Sequence, residues 1–154
     1  MDRLRGIYEV HLPVENVERA TAFYVDRLGF EASRTPGFLF LVDGDRRWML
    51  GLYEAPPRER RHQRERHVSF RVEEAEADGM VDWLQARGIE PVHPPSAPRE
   101  GPMEEPIVFG WMPAAAVFFE DLDGNLLELV AELSADPRPD VGYVPVSEWR
   151  TLVG

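Results

Sequence analysis

Two residues in the segment "IYEVHLPVENV" carry groups that bind metals or move protons: Glu9 and His11. Read as a strand, the segment sorts Tyr8, Val10, Leu12 and Val14 to one face and Glu9, His11 and Pro13 to the other, so a carboxylate and an imidazole point the same way. A second imidazole, His67, opens "HVSFRV", where Val68, Phe70 and Val72 alternate with His67, Ser69 and Arg71. A second carboxylate, Glu128, stands in "NLLELVA" among Leu126, Leu127, Leu129 and Val130. An ionised carboxylate buried there costs on the order of several kcal/mol unless a cation or strong donors compensate it. Something must therefore neutralise Glu128, whether a metal ion or an arginine such as Arg71 or Arg47.

The elements that position these groups come from a repeat. Set over each other, "EVHLPVENVERATAFYVDRLGFE" and "HVSFRVEEAEADGMVDWLQARGIE" match Val10 to Val68, Val14 to Val72 and Glu15 to Glu73, and after one gap Gly29 to Gly88 and Glu31 to Glu90. By this register Glu9 and His67 occupy equivalent positions. Each copy opens with an alternating strand and runs into a helix. In the first, Asn16 is the expected N-cap, Ala20, Phe23, Tyr24 and Leu28 form the apolar stripe, and Gly29 sits at the left-handed C-cap. In the second, Met80, Val81 and Leu84 form the stripe and Gly88 ends the helix. "GFLFLVDGDRRWMLGLYEA" then reads as a hairpin turned at Asp43 and Gly44, and "AAAVFFEDLDGNLLELVAEL" as one turned at Asp123 and Gly124. Each half is β-α-β-β-β, giving one domain over residues 1–133 built from modules 6–55 and 66–133 with a linker at 56–65.

Residues 91–113 break the pattern. They hold seven of the fourteen prolines together with Met103, Phe109, Trp111 and Met112, which predicts a long ordered loop that lines a site or packs on the surface. The tail, residues 134–154, is proline-rich and then helical, with Ser147 as the expected N-cap, and is expected to pack across a neighbouring module or subunit.

Composition narrows the function classes. With 44% hydrophobic residues in 154, the chain can bury a core without staples, and the absence of cysteine removes disulfides, thiolate ligands and thiol nucleophiles. All seventeen basic residues are arginine, so no lysine amine is available for covalent catalysis. The net charge of -11 repels phosphate backbones, which argues against nucleic acid, and the run "RERRHQRER" from Arg58 to Arg66 reads as a solvated linker rather than an anion patch. No apolar stretch is long enough to span a bilayer, so a soluble cytoplasmic protein is expected.

The paired modules, with "HLPVENVERATAFYVDRLGF", "HVSFRV" and "FFEDLDGNLLEL", resemble the vicinal oxygen chelate superfamily, which includes glyoxalase I, fosfomycin-modifying enzymes, extradiol dioxygenases and bleomycin-resistance proteins. The resemblance covers roughly residues 6 to 133 and implies an α+β fold whose paired sheets curl into a cup around a divalent metal. Carried across position by position, it implies metal ligands at Glu9, His67 and Glu128. The family more often has histidine or glutamine at the first position, and the position of the fourth ligand in glyoxalase I falls on Gly51, which has no side chain. Three protein ligands leave coordination positions open for substrate and water.

The metal depends on the first strand. Glu9 gives one imidazole and two carboxylates, a set suited to Mn(II), Mg(II), Fe(II), Ni(II) or Zn(II) with little discrimination, whereas His11 gives the two-histidine, one-carboxylate set of non-heme iron sites. The repeat register favours Glu9 and leaves His11 as a supporting donor or an acid/base facing the substrate.

The implied function is a metal-dependent enzyme acting on a small molecule with vicinal oxygens, a lyase or isomerase, a transferase or a dioxygenase, with Glu9, His11 or Glu128 moving a proton. Arg47 and Met49 share the face of Gly51, and with Phe109 and Trp111 they are the expected substrate contacts. The alternative is a non-catalytic binder resembling the bleomycin-resistance branch, which sequesters a cationic or aromatic drug; the charge of -11 and Trp48, Phe109 and Trp111 suit that role. A structural module with a vestigial cup is a third reading. Two modules in one chain imply a homodimer in this superfamily, its cups formed within one chain or swapped between two.

Overall fold

A computed structural model describes residues 9–33, 37–43, 46–56, 67–94 and 101–154. The side chains of Glu9 and Arg47, the arginine-rich run, the hairpin position Gly44 and residues 95–100 lie outside the described residues. The chain divides into two compact units, Met1–His62 with Asp121–Asn125, and Gln63–Glu120 with Leu126–Gly154.

In the first unit, strand β1 (Glu9–Val14) leads into helix α1 (Val17–Leu28), followed by β2 (Glu31–Ala32), β3 (Phe38–Asp43) and β4 (Arg46–Glu54). The strands lie in the order β1-β4-β3-β2, with β1 parallel to β4 and the other pairs antiparallel. Both expected caps of α1 are present. The Asn16 side chain accepts from the Arg19 backbone N–H at 2.7 Å, and Gly29 takes φ 80° while its N–H bonds the Tyr24 and Val25 carbonyls. Ala20, Phe23 and Tyr24 form the buried stripe of the helix, and the core includes Val14, Leu39, Leu50 and Leu52 from alternate strand positions. Leu28, expected on that stripe, is only half-buried.

The segment Asp121–Asn125 belongs to this unit through a buried polar network. The Asp121 carboxylate accepts from the Tyr24 hydroxyl at 2.8 Å, the Asn125 side chain at 2.6 Å and the backbone N–H groups of Asp123 and Asn125. Asp123 accepts from the Glu15 backbone N–H at 2.8 Å and from Arg19 at 3.1 Å. These bonds make the turn at Asp123 and Gly124 five residues long, because Asp121 and Asn125 close it by the Asp121 N–H to Asn125 carbonyl bond at 3.0 Å.

The second unit opens with β5 (His67–Arg71), a 3-10 stretch (Glu74–Gly79) and helix α2 (Met80–Gln85), then β6 (Pro91–Val92), β7 (Ile107–Phe109), β8 (Ala114–Glu120), β9 (Leu126–Glu132), β10 (Tyr143–Pro145) and helix α3 (Val146–Val153). The strand order is β10-β7-β8-β9-β5, with β6 also on β8. The parallel β5–β9 pair repeats β1–β4, and the registers agree. Glu9 faces Met49 and His67 faces Leu126, so His11 corresponds to Ser69 and Gly51 to Glu128. Met80, Val81 and Leu84 are buried as the apolar spacing predicts, and Gly88 takes φ 65° as Gly29 does.

Two expectations need correction. Residues 91–113 are not one loop: Pro91–Val92 and Ile107–Phe109 both pair with β8, where short apolar segments between the prolines are buried against the sheet. The tail docks on its own unit, where Tyr143–Pro145 pairs with β7 and Trp149 is 2% exposed. Its helix starts at Val146 after Pro145, and Ser147 is not the N-cap. Instead its N–H and hydroxyl are held by Glu105 at 2.9 and 3.0 Å.

Candidate functional site

On β5 and β9, alternation places His67, Ser69 and Arg71 on one sheet face with Leu126, Glu128 and Val130, and the register sets Ser69 directly beside Glu128. Glu128 is only 4% exposed. Its Oε2 accepts a hydrogen bond from the Ser69 hydroxyl and lies 3.2 Å from His67 Nε2. These two groups answer the need for compensation that the sequence raised. Arg71 does not supply it, because its guanidinium lies 3.6 Å from the exposed Glu132 instead.

Phe118, the β8 partner of Glu128 in register, meets the His67 ring edge-on at 5.3 Å between centroids. From there the same face continues through aromatic rings. Phe118 contacts Phe109 at 6.5 Å, Phe109 contacts Tyr143 at 5.5 Å and Trp111 at 5.2 Å, and Trp111 meets Tyr143 at 4.8 Å. Phe109 is buried, whereas Trp111 is 44% exposed. The second unit therefore offers a carboxylate, an imidazole and a hydroxyl beside an aromatic surface, a combination able to hold a cation or transfer a proton next to an apolar group.

In the first unit, β1 and β4 place Glu9, His11, Met49 and Gly51 on one face by register. The His11 ring lies over Gly51 and meets Phe38 edge-on at 6.0 Å. Met49 is half-buried on that face. The structure thus brings His67 and Glu128 together and sets Phe109 and Trp111 in one aromatic cluster. Among the described residues no group of three or more His, Asp and Glu side chains gathers as a metal cluster. The donors that do meet, an imidazole nitrogen and a buried carboxylate, are of the types that bind divalent ions, so these two of the three implied ligands fit.

Sequence reasoning missed three contributors. Ser69 had a readable signal, its place on the polar face of the strand two residues after His67. Phe118 and Tyr143 had none, since their positions depend on the pairing of β8 and β10 with neighbours far along the chain.

Comparisons with known proteins bear on the family and the fold. The family model described as Glyoxalase/Bleomycin resistance protein/Dioxygenase superfamily matches residues 6–129, and the chain belongs to that superfamily. Among solved structures it is similar to an integron cassette protein from the mobile metagenome of Halifax Harbour Sewage Outfall, with 30% identity, a TM-score of 0.59, and coverage of 83% of this chain and 99% of that one. It is also similar to a glyoxalase/bleomycin resistance protein/dioxygenase from Nocardioides, at 25% identity and a TM-score of 0.57, covering 89% of each chain. A lactoylglutathione lyase from Agrobacterium tumefaciens shares the fold at 22% identity and a TM-score of 0.56, covering 83% of this chain and 94% of that one. None of the curated proteins matches the sequence. The superfamily includes enzymes, and no helix among the described residues is long and apolar enough to cross a membrane.

Proposed function

We propose that the protein is a metal-dependent enzyme acting on a small substrate with vicinal oxygens. The observation that carries this reading is the buried Glu128 carboxylate, held by Ser69 and reached by His67 on one sheet face. Ser69 and His67 compensate that carboxylate, and a divalent ion between His67 and Glu128 would compensate it further. His67 and Glu128 are the two ligands this unit would supply, and Glu9 is the third in the set the family resemblance implies. Bound by these residues, a divalent ion would supply Lewis acidity.

The chain's own residues do the rest. Glu9, Glu128 or His11 takes and returns a proton, Ser69 orients the Glu128 carboxylate, and Phe109 and Trp111, with Arg47 and Met49 from β4, contact the substrate body. The expected form is a cytoplasmic homodimer that binds neither nucleic acid nor membrane. The exposed Trp111 against Tyr143 and Phe109 favours one second reading, sequestration of an aromatic or cationic compound without turnover.

Acetohydroxamate, which chelates divalent ions through two neighbouring oxygens, separates the two readings. Under the enzyme reading it binds the Ni(II)-loaded protein and fails to bind metal-stripped protein or His67→Ala. Equal binding to loaded and stripped protein would remove the metal from the account and leave the sequestering reading.

A further inference from the structure

The stretch that matches the superfamily model ends at residue 129, so β10 and α3 lie beyond it. The tail nevertheless reaches the face that carries His67 and Glu128. Tyr143 pairs in register with Phe109 and Phe109 with Ala114, which alternates onto the side of Phe118, the partner of Glu128. Tyr143 therefore stands on the same sheet face as the buried carboxylate, within one unit.

The tail also fixes the turn that carries Trp111. The Gly110 N–H donates to the Gly142 carbonyl at 2.8 Å, and the Gly110 carbonyl accepts from the Arg138 N–H at 2.6 Å. A Cβ added at Gly110 would stand 2.5 Å from the Arg138 carbonyl oxygen and 3.2 Å from the Cβ of Val141, so glycine is what lets the tail backbone lie this close. One residue later, the Trp111 ring meets Tyr143 edge-on at 4.8 Å and lies against Phe109 at 5.2 Å. Phe109 and Phe118 are buried, so the indole, with nearly half of its surface exposed, is the ring on this face with area left for a ligand. The face is poorly suited to an anion. Arg71, the guanidinium on it among the described residues, lies 3.6 Å from Glu132.

We propose that the tail sets ligand specificity: Tyr143 is the residue that positions Trp111 to take the aromatic body of a substrate whose vicinal oxygens lie toward His67 and Glu128. This deepens the proposed function and rests on it, naming the substrate class as an uncharged vicinal-oxygen compound with an extended aromatic body. Extension is required because centroid steps of 5.3, 6.5 and 5.2 Å lead from His67 through Phe118 and Phe109 to Trp111.

The test is calorimetric titration of the full-length Ni(II)-loaded protein with acetohydroxamate and with a hydroxamate that carries biphenyl in place of the methyl group. In wild type the biphenyl compound should bind at least about tenfold more tightly, a gain of the size that a ring contact and its buried area supply. Tyr143→Leu, which keeps an apolar residue in the strand, and Trp111→Ala should bring the two ligands within about twofold of each other and leave acetohydroxamate affinity unchanged. Tyr143→Phe, which keeps the ring, should retain the gain. Thermal melts check that each variant folds, and size-exclusion chromatography checks its assembly.

If acetohydroxamate binds and the biphenyl gain is absent from wild type or survives in Tyr143→Leu, the metal reading stands and this proposal is overturned. If acetohydroxamate binds neither loaded nor stripped protein, the metal reading fails. The specificity proposal then holds only where the biphenyl compound binds both forms alike and loses at least about tenfold in Tyr143→Leu, and is overturned otherwise. A dimer that Trp111→Ala converts to monomer with the biphenyl gain intact would make these rings a subunit contact and overturn it too. Should Tyr143→Leu not fold, Trp111→Ala decides alone.

Discussion

His67 Nε2 lies 3.2 Å from Glu128 Oε2, across two parallel strands that are far apart in sequence and neighbours in the sheet. One member of the pair is buried and the other is 35% exposed at its side chain. If the carboxylate is kept for function, the fold should not need it. The double variant His67→Leu/Glu128→Leu is therefore expected to leave stability unchanged or raise it by about 1–4 kcal/mol, the range found when a buried ionic pair gives way to apolar residues. Chemical denaturation reads this directly. A loss above about 2 kcal/mol, of the size seen when a buried charged partner is removed, would mark Glu128 as structural instead.

Ser69 is the other partner of that oxygen. Ser69→Ala removes one donor from a buried carboxylate and should cost about 1–3 kcal/mol, while Ser69→Thr, which keeps the hydroxyl on a residue suited to strands, should recover most of it. Equal losses in both variants would show that the hydroxyl is not what matters.

Tyr24 tests the polar network of the first unit. Its hydroxyl donates to Asp121 at 2.8 Å inside the core. Tyr24→Phe leaves the Asp121 carboxylate with its Asn125 and backbone donors and should cost about 1.5–3 kcal/mol, the usual worth of a bond to a charged group. Burial, and then the nearby Asp121 charge, holds the Tyr24 phenol well above the ordinary tyrosine range. A raised folded-state value means the stability is present below the unfolded tyrosine value of about 10 and is lost as pH rises beyond it. Wild type should lose stability above that pH faster than Tyr24→Phe, as pH-dependent thermal melts would reveal.

Trp149 anchors the carboxyl-terminal helix. It is nearly fully buried, and the helix is further tied by Arg150 to Asp78 at 2.8 Å and by Ser147 to Glu105. Trp149→Ala should cost about 3–5 kcal/mol, as large core truncations do. Urea unfolding of the variant gives the number, and a cost under about 1 kcal/mol, within the reach of a surface substitution, would mean the helix is held by its polar ties alone.

Much of this was legible in the residues because local chemistry decides it. Asn16 and Gly29 cap α1 as their types require, and the repeat register that equates Glu9 with His67 survives in the strand pairing. The oddity of Glu128 among leucines pointed to the site before any geometry did. What could not be read depends on distant pairing. β7 and β10 are three residues each, too short for alternation to announce them, and both exist because an edge of β8 and then of β7 was free to accept them. The ring of His11 over Gly51 is likewise invisible in sequence, where a glycine in a strand and a histidine forty residues earlier carry no mutual mark.

Metal binding by His67 and Glu128 is the part of the proposed function that elemental composition can decide. Elemental analysis of protein purified without an affinity tag, beside His67→Ala and Glu128→Gln, tests it most directly. Close to one transition-metal ion per chain is expected in wild type, with loss of that metal in both variants. A wild type that is empty, and stays empty when offered Mn(II), Fe(II), Ni(II) and Zn(II), would contradict it.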